Sequence, residues 1–350
     1  MNYEFIKKFL FKLDPENAHN LIEKLMSLTN SYPAVLNSFI EENFIADSML
    51  RQNIFGSTFY NPVGLAAGYD KNAKMNRSLL ALGFGYLEFG TITPLPQSGN
   101  DKPRLFRYPE YESIQNSFGF NNEGGAEVAK RVKEFYPLSI PIGINIGKNK
   151  ITSQENAIND YEKLVEMFNN INNYLVINVS SPNTPNLRDL QNEEFIKELF
   201  IKLTSITKNP ILLKIAPDMS VDNALSLCNV AINHGAKGII ATNTTIDYSL
   251  IPNAKNFGGL SGKVLQQKSR EFFKELSKEL FSKTTLISVG GIDSAEEAYT
   301  RVLLGATLIQ VYSALIFKGP SLVKDINLGI IEKLKRDGFN HISEAVGKGL

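Results

Sequence analysis

The sequence predicts an α/β chain, a closed (β/α)8 TIM barrel preceded by a short N-terminal helical extension. Eight short, nearly continuous apolar runs lie at 61–67, 86–91, 140–147, 174–180, 210–216, 238–244, 285–291 and 308–314, as strands covered on both faces read. Amphipathic stretches at 157–170, 193–207, 221–234, 263–281 and 294–304 separate them. Parallel strands require such crossovers, and eight βα units from residue 61 onward match a closed barrel. An open doubly wound sheet ranks below it, because no GxGxxG turn follows the first run.

Two segments fall outside the repeat. Residues 1–45 form an N-terminal helical segment, and 46–350 form the barrel with a lid inserted at about 94–125. Asp14-Pro15-Glu16 opens a helix running through about Leu28, with aspartate at the N-cap and proline at the first helical position. Ahead of it, Phe5, Ile6, Phe9 and Leu10 fall on one helical face, with Lys7, Lys8 and Lys12 among them. Such a stripe either docks on the barrel or lies in a membrane interface. The lid is rich in Pro, Gly and Asn, with short β-like pieces at 104–108 and 113–117. Long insertions on rigid barrels are commonly functional.

Composition excludes several classes. The 350 residues are 43% hydrophobic and 21% charged, enough for a large core. A balance of 37 basic against 36 acidic residues argues against nucleic acid as a partner. The single cysteine, Cys228, permits no intrachain disulfide and no thiolate metal cluster, and reads as core packing. His19, His234 and His341 are too scattered for a metal site. No apolar run reaches the ~18–20 residues of a membrane span, and the first residues lack a secretory h-region. The expectation is a non-spanning enzyme inside the cell.

Active sites of these barrels gather at the C-terminal ends of the strands. Those ends carry Ala67-Gly68 with Asp70-Lys71, then Thr91, Asn145, Asn178 with Ser181 to Thr184, Lys214, Thr242 to Thr245, Gly290-Gly291, and Tyr312-Ser313. Amides, hydroxyls and two lysines, with Asp70 as the lone carboxylate, suit a planar, multiply hydrogen-bonding heterocycle better than a metal. The glycines after strand seven and the Tyr312-Ser313 turn after strand eight stand where such barrels cradle phosphate. Sugar-phosphate and flavin enzymes share that cradle. Lys214 interrupts the apolar run 211–216, where an ammonium needs an anion or several acceptors. A salt bridge to a neighbour satisfies that need, and so does negative charge developing on a cofactor. Ser181 is either a turn residue or a candidate base; as a base it needs a proton acceptor beyond it.

Taken together, several motifs are more specific. Gly64-Leu-Ala-Ala-Gly-Tyr-Asp-Lys71, Phe89-Gly-Thr-Ile-Thr-Pro94, Phe118-Gly-Phe-Asn-Asn122, Asn145-Ile-Gly-Lys-Asn149 and Asn178-Val-Ser-Ser-Pro-Asn-Thr184 resemble those of dihydroorotate dehydrogenases. So do Lys214-Ile-Ala-Pro217, Ala241-Thr-Asn-Thr-Thr245, Gly258-Gly-Leu-Ser-Gly262, Val289-Gly-Gly-Ile292 and Tyr312-Ser313, in matching order across about 60–320. Leu13-Asp-Pro-Glu-Asn-Ala-His19 resembles the extension of the quinone-dependent class 2 members, and Ser181 stands where class 1 members carry cysteine. Ser117 departs from the arginine common among class 2 relatives.

The resemblance implies oxidation of (S)-dihydroorotate to orotate in pyrimidine biosynthesis, with noncovalent FMN as redox cofactor. It implies phosphate contacts from Gly262, Gly291, Tyr312 and Ser313, and further flavin contacts from Ala67, Gly68, Lys71, Thr91, Asn145, Asn178, Lys214 and Thr242. For the substrate it implies Lys71, Asn116, Ser117, Phe118, Gly119, Phe120, Asn178, Asn183, Asn243 and Thr244. Ser181 is the implied base, relaying its proton towards Thr184 or water, while Lys214 stabilises anionic reduced flavin. Electrons then pass to ubiquinone or menaquinone along a tunnel marked by His19, Arg107 and Tyr312. The expected setting is peripheral, as a monomer, on the cytoplasmic face of the cell membrane through the N-terminal helices.

Overall fold

Apolar runs with no polar face need cover on both sides. The computed structural model, which describes residues 3–350, covers them with helices outside and with one another inside. The barrel strands are Val63–Leu65, Tyr86–Ile92, Ile142–Ile146, Tyr174–Asn178, Ile211–Ile215, Gly238–Ala241, Thr285–Val289 and Leu308–Val311. Each pairs in parallel with the next in the chain, and the eighth closes on the first through Ile309↔Val63 and Val311↔Leu65. Each lies inside the run that predicts it or extends one residue beyond. Most runs overshoot at their C-terminal ends because the chain there leaves the ladder to build loops.

Side-chain alternation sends Tyr86, Tyr174, Leu212, Ile240, Ile287 and Leu308 to the barrel interior, where they pack as one buried cluster. Gly64 and Gly143 make room for the two tyrosines: a Cβ at either would stand 2.2 Å from a ring carbon. Below them a hairpin plugs the barrel floor, Gln52–Ile54 against Ser57–Phe59. It turns on Phe55 and Gly56, both at positive φ, and Phe59 meets Tyr86 edge-on at 5.3 Å. The crossover helices include Ala157–Phe168, Glu193–Ile206, Val221–Asn233, Gln266–Leu280 and Ala295–Leu303. A separate 3-10 turn, Lys263–Leu265, precedes the fourth of these.

The N-terminal segment forms three helices, Tyr3–Leu10, Pro15–Thr29 and Pro33–Asn43; residues 1 and 2 lie outside the described residues. Asp14 caps the second, accepting from the backbone N–H of Glu16 and Asn17. The first helix corrects the single apolar stripe read from sequence. Ile6 and Leu10 turn inward over a cavity, whereas Phe5 and Phe9 are 78% and 59% exposed. Positions i and i+1 diverge by about 100° around a helix, so four residues spaced this way straddle two faces. The inward edge is tied down where Tyr3 donates to the Ile316 carbonyl and Lys7 to that of Phe317.

In the lid, Leu105–Tyr108 and Ser113–Asn116 pair antiparallel, and Gly259–Gly262 joins as a third strand. That third strand went unpredicted because a glycine-rich tetrapeptide has little strand preference of its own. Among the described residues no helix is long and apolar enough to cross a membrane.

Candidate active site

The strand ends and the lid line a cavity that opens to solvent. One end is built from backbone turns. Gly291 sits at φ +71° so close to the chain at Gln266 that a Cβ would lie 2.5 Å from its Cα. Arg301, wholly buried, holds that turn: it ion-pairs with Glu297 at 2.6 Å and donates to the Gly290 carbonyl at 3.1 Å. Gly262, Tyr312 and Ser313 line the same end, with Ser261 and Ser313 hydroxyls 3.0 Å apart.

The middle is an amide network on three strands. Asn145 Oδ1 accepts from Thr91 Oγ1 at 2.6 Å and from Asn178 Nδ2 at 3.2 Å. Asn178 Oδ1 takes the Ser180 backbone N–H at 3.2 Å, and Asn243 Nδ2 reaches Ser180 Oγ at 2.9 Å. Ala67, Gly68, Thr242 and Lys214 border this region. Burial pushes the Lys214 ammonium below its usual range, and the Glu88 carboxylate, 3.8 Å away, draws it back up.

The lid supplies the other wall through Asn116, Phe118, Gly119 and Phe120, facing Lys71, Ser181, Asn183 and Thr244. Lys71 Nζ lies 4.3 Å over the Phe118 ring, and burial pushes it down to about 8. Asn183 Nδ2 donates to Asn116 Oδ1 at 3.0 Å, leaving Asn183 Oδ1 and Thr184 Oγ1 buried without partners. Ser181 Oγ accepts the Asn183 backbone N–H at 3.2 Å. Arg188 clasps both loops, donating to the carbonyls of Ser180 at 3.0 Å and Thr244 at 2.9 Å.

Among the residues that the resemblance assigns to cofactor, substrate or proton transfer, Asn145, Thr184 and Ser117 do not border the cavity. Asn145 acts through Thr91 and Asn178, and Thr184 is buried away from the cavity wall. Ser117 is buried against Gly258, its backbone N–H donating to the Arg104 carbonyl at 2.8 Å. Asp70 requires correction: it is not the lone carboxylate. Its oxygens accept the backbone N–H of Lys74 and Met75, while Glu88 lies inside the barrel and Glu112 and Asp293 border the cavity mouth. Sequence reasoning missed Glu88, although the signal that exposed Lys214, one charge in an apolar strand, applies equally to it. Arg188 and Arg301 carried no such signal, since each lies in a polar or amphipathic stretch.

A second cavity lies between the barrel and the N-terminal helices. Its walls are mostly apolar, including Ile6, Leu10, Ala18, Ile22, Met26 and Leu105, with His19 and Arg107 among them. Tyr312 borders both cavities. His19 stacks edge-on to Tyr69 at 5.3 Å, and Tyr69 to Tyr312 at 5.5 Å. Burial, then the Lys71 charge, pushes His19 down to about 3, so its ring is neutral at physiological pH. Arg107 clasps the end of the first helix, donating to the carbonyls of Leu10 and Leu13 over the Phe11 ring.

Comparison with known proteins agrees with this geometry. The dihydroorotate dehydrogenase family model matches residues 49–334. "Dihydroorotate dehydrogenase (quinone)" of a Nitratiruptor species is 59% identical over 347 residues, spanning 99% of each chain. The protein of that name from a Sulfurovum species is 56% identical, over 99% of this chain and 98% of its own. A crystal structure of DHODH from Eimeria tenella in complex with ferulenol superposes with a TM-score of 0.87 at 33% identity, covering 96% of this chain and 95% of that one. With matches this extensive in sequence and in fold, the chain belongs to the dihydroorotate dehydrogenase family of oxidoreductases.

Proposed function

We propose that the chain oxidises (S)-dihydroorotate to orotate with FMN as redox cofactor, and passes the electrons to ubiquinone or menaquinone. The observation that supports this reading is the shared wall: Tyr312 lines both a glycine-cradled cavity that carries amides, hydroxyls and lysines and a second cavity that is mostly apolar. A hydrophilic reductant and a lipophilic oxidant would each have a pocket of matching character, the two meeting at a shared lining residue. Relatives named for the quinone activity are 56–59% identical end to end.

The residues fit FMN. The backbone turns at Gly262, Gly291 and Ser313 suit a phosphate, and Thr91, Asn178, Lys214 and Thr242 offer donors and acceptors to a polar ring edge. Bound there, FMN would supply the two-electron acceptor for the hydride leaving C6 of the substrate. Lys71 would neutralise the substrate carboxylate, while Asn116, Asn183 and Asn243 read its imide edges and Thr244 supports them. Ser181 would take the proton from C5. As it does so its own hydroxyl proton would pass on towards Thr184, whose Oγ1 has no other hydrogen-bond partner, or towards a water. Lys214 would hold positive charge where negative charge accumulates.

Residues 1–45 would serve as the quinone's access route and membrane contact, as a peripheral monomer at the cytoplasmic face. The exposed apolar residues Phe5, Phe9, Leu28 and Tyr32 of this segment support that role.

The test is spectroscopic. The purified protein should show a flavin absorption band that bleaches on anaerobic addition of dihydroorotate. Reoxidation by a ubiquinone analogue, but not by fumarate or NAD, completes the assignment. Absence of the band, or reoxidation by fumarate or NAD alone, would overturn it.

A further inference from the structure

Glu88 is 0% exposed, on the inward face of the second barrel strand. Burying a carboxylate this deeply is unfavourable unless hydrogen bonds and an opposite charge compensate. Two amides and one cation do so. Asn145 Nδ2 donates to Oε1 at 2.8 Å, Gln310 Nε2 to Oε2 at 2.6 Å, and Lys214 Nζ lies 3.8 Å from Oε1. At that separation the Lys214 interaction is charge with charge rather than a hydrogen bond. The ammonium is thus left to donate into the cavity that it borders. Its strand neighbours in register, Asn178 and Ile240, bring no charge. Tyr86 and Tyr174 face Glu88 from below; burial and the Glu88 charge hold both phenols far above their usual range, hence neutral. Glu88 is therefore the one ionic partner within salt-bridge distance of Lys214 among the described residues.

We propose that Glu88 is a positioning residue that keeps Lys214 cationic and aimed at the cofactor-binding cavity. Its functional consequence rests on the flavin reading of the site; the pairing itself does not. Through Asn145, the same carboxylate also orients Thr91 and Asn178, so one buried charge organises the polar floor of the site.

Glu88→Gln isolates the charge. A glutamine can still accept from Asn145, and a flipped Gln310 can offer its Oε1, otherwise without a partner, to the new amide. The first measurement uses the full chain stripped of flavin, with its fold checked by circular dichroism. Acylation of Lys214 by acetic anhydride is followed against pH by peptide mass spectrometry. Glu88→Gln should lower the pH of half-reaction by about one unit or more, because loss of the carboxylate favours the neutral amine. The second measurement is the reduction potential of bound FMN. It should fall by about 30 mV, equivalent to a tenfold loss in the two-electron equilibrium.

An unchanged labelling midpoint overturns the proposal whatever happens to activity, since a packing role alone would not move it. A moved midpoint with an unchanged potential overturns the functional consequence. If Glu88→Gln does not fold, Glu88→Asp applies the same test with the charge withdrawn by one methylene. Its midpoint should fall by a smaller amount, and an identical midpoint sinks the idea. Failure to take up FMN would refute the flavin reading of the cavity, while the labelling midpoint would still decide whether the pair exists.

Discussion

The Arg104 guanidinium forks onto the carboxylate of Glu16, Nη2 to Oε1 at 2.8 Å and Nε to Oε2 at 3.2 Å. One partner sits in the second N-terminal helix and the other in the lid, so this buried pair joins the two elements that cover the separate cavities. Arg104 also donates to the carbonyls of Ser98 and Asn100, shaping the lid at its root. Burial pushes Glu16 up, but Arg104 and Lys102 outweigh it and hold the carboxyl below its usual range. Glu16→Ala should therefore cost about 3 kcal/mol by leaving Arg104 buried and uncompensated. Chemical denaturation would measure the loss, and proteolysis of the 94–125 segment should accelerate. Because the folded carboxyl is the stronger acid, the wild-type contribution is present above the unfolded glutamate range and declines as pH falls towards the folded value. The variant's stability should vary less with pH there.

On the proposed flavin reading, Ser181→Ala should retain FMN and lose most flavin reduction, about 10²- to 10⁴-fold by anaerobic stopped flow. Ser181 borders the cavity beside Asn183 and Thr244, so the substitution removes a hydroxyl with little change in shape. A reduction rate equal to wild type would refute the base assignment.

Lys71 predicts a pH dependence of substrate capture. Burial pushes its ammonium down to about 8, although Glu23 and Asp70 draw it up. Above that pH the free enzyme loses the cation proposed to meet the substrate carboxylate, so kcat/KM for dihydroorotate should fall up to tenfold per pH unit. Fold stability responds with the opposite sign. The unfolded lysine holds its proton to about 10.5, so stability should rise with pH between about 8 and 10.5. Lys71→Met should abolish both trends in pH–rate profiles and melting curves.

The apolar cavity is better tested by filling it than by truncation. Removing residues 1–45 would also break the Glu16–Arg104 pair and loosen the lid. Ile22→Phe adds bulk to that cavity alone. It should weaken the apparent affinity for a ubiquinone analogue about tenfold, ~1.4 kcal/mol, and leave anaerobic flavin reduction by dihydroorotate unchanged. Equal losses in both half-reactions would exclude this cavity as the quinone route.

The barrel was legible in the linear chain because its information is local. Each strand announces itself as an apolar run, and the C-terminal ends of those runs point to Asn145, Asn178 and Lys214 as site residues before any contact is known. The lid strands, within one residue of their expected limits, and the Asp14 cap follow from equally short-range rules. What folding alone settled depends on residues far apart in the chain. Gly259–Gly262 becomes a strand only because Ser113–Asn116 offers it an edge. Glu88 meets Gln310 across 222 positions, and Glu16 meets Arg104 across 88. Phe5 and Phe9 part company with Ile6 and Leu10 only once the barrel surface is there to receive one side of the helix. Periodicity reports which way a side chain faces within its own element; the partner it finds there is a property of closure, which no local window contains.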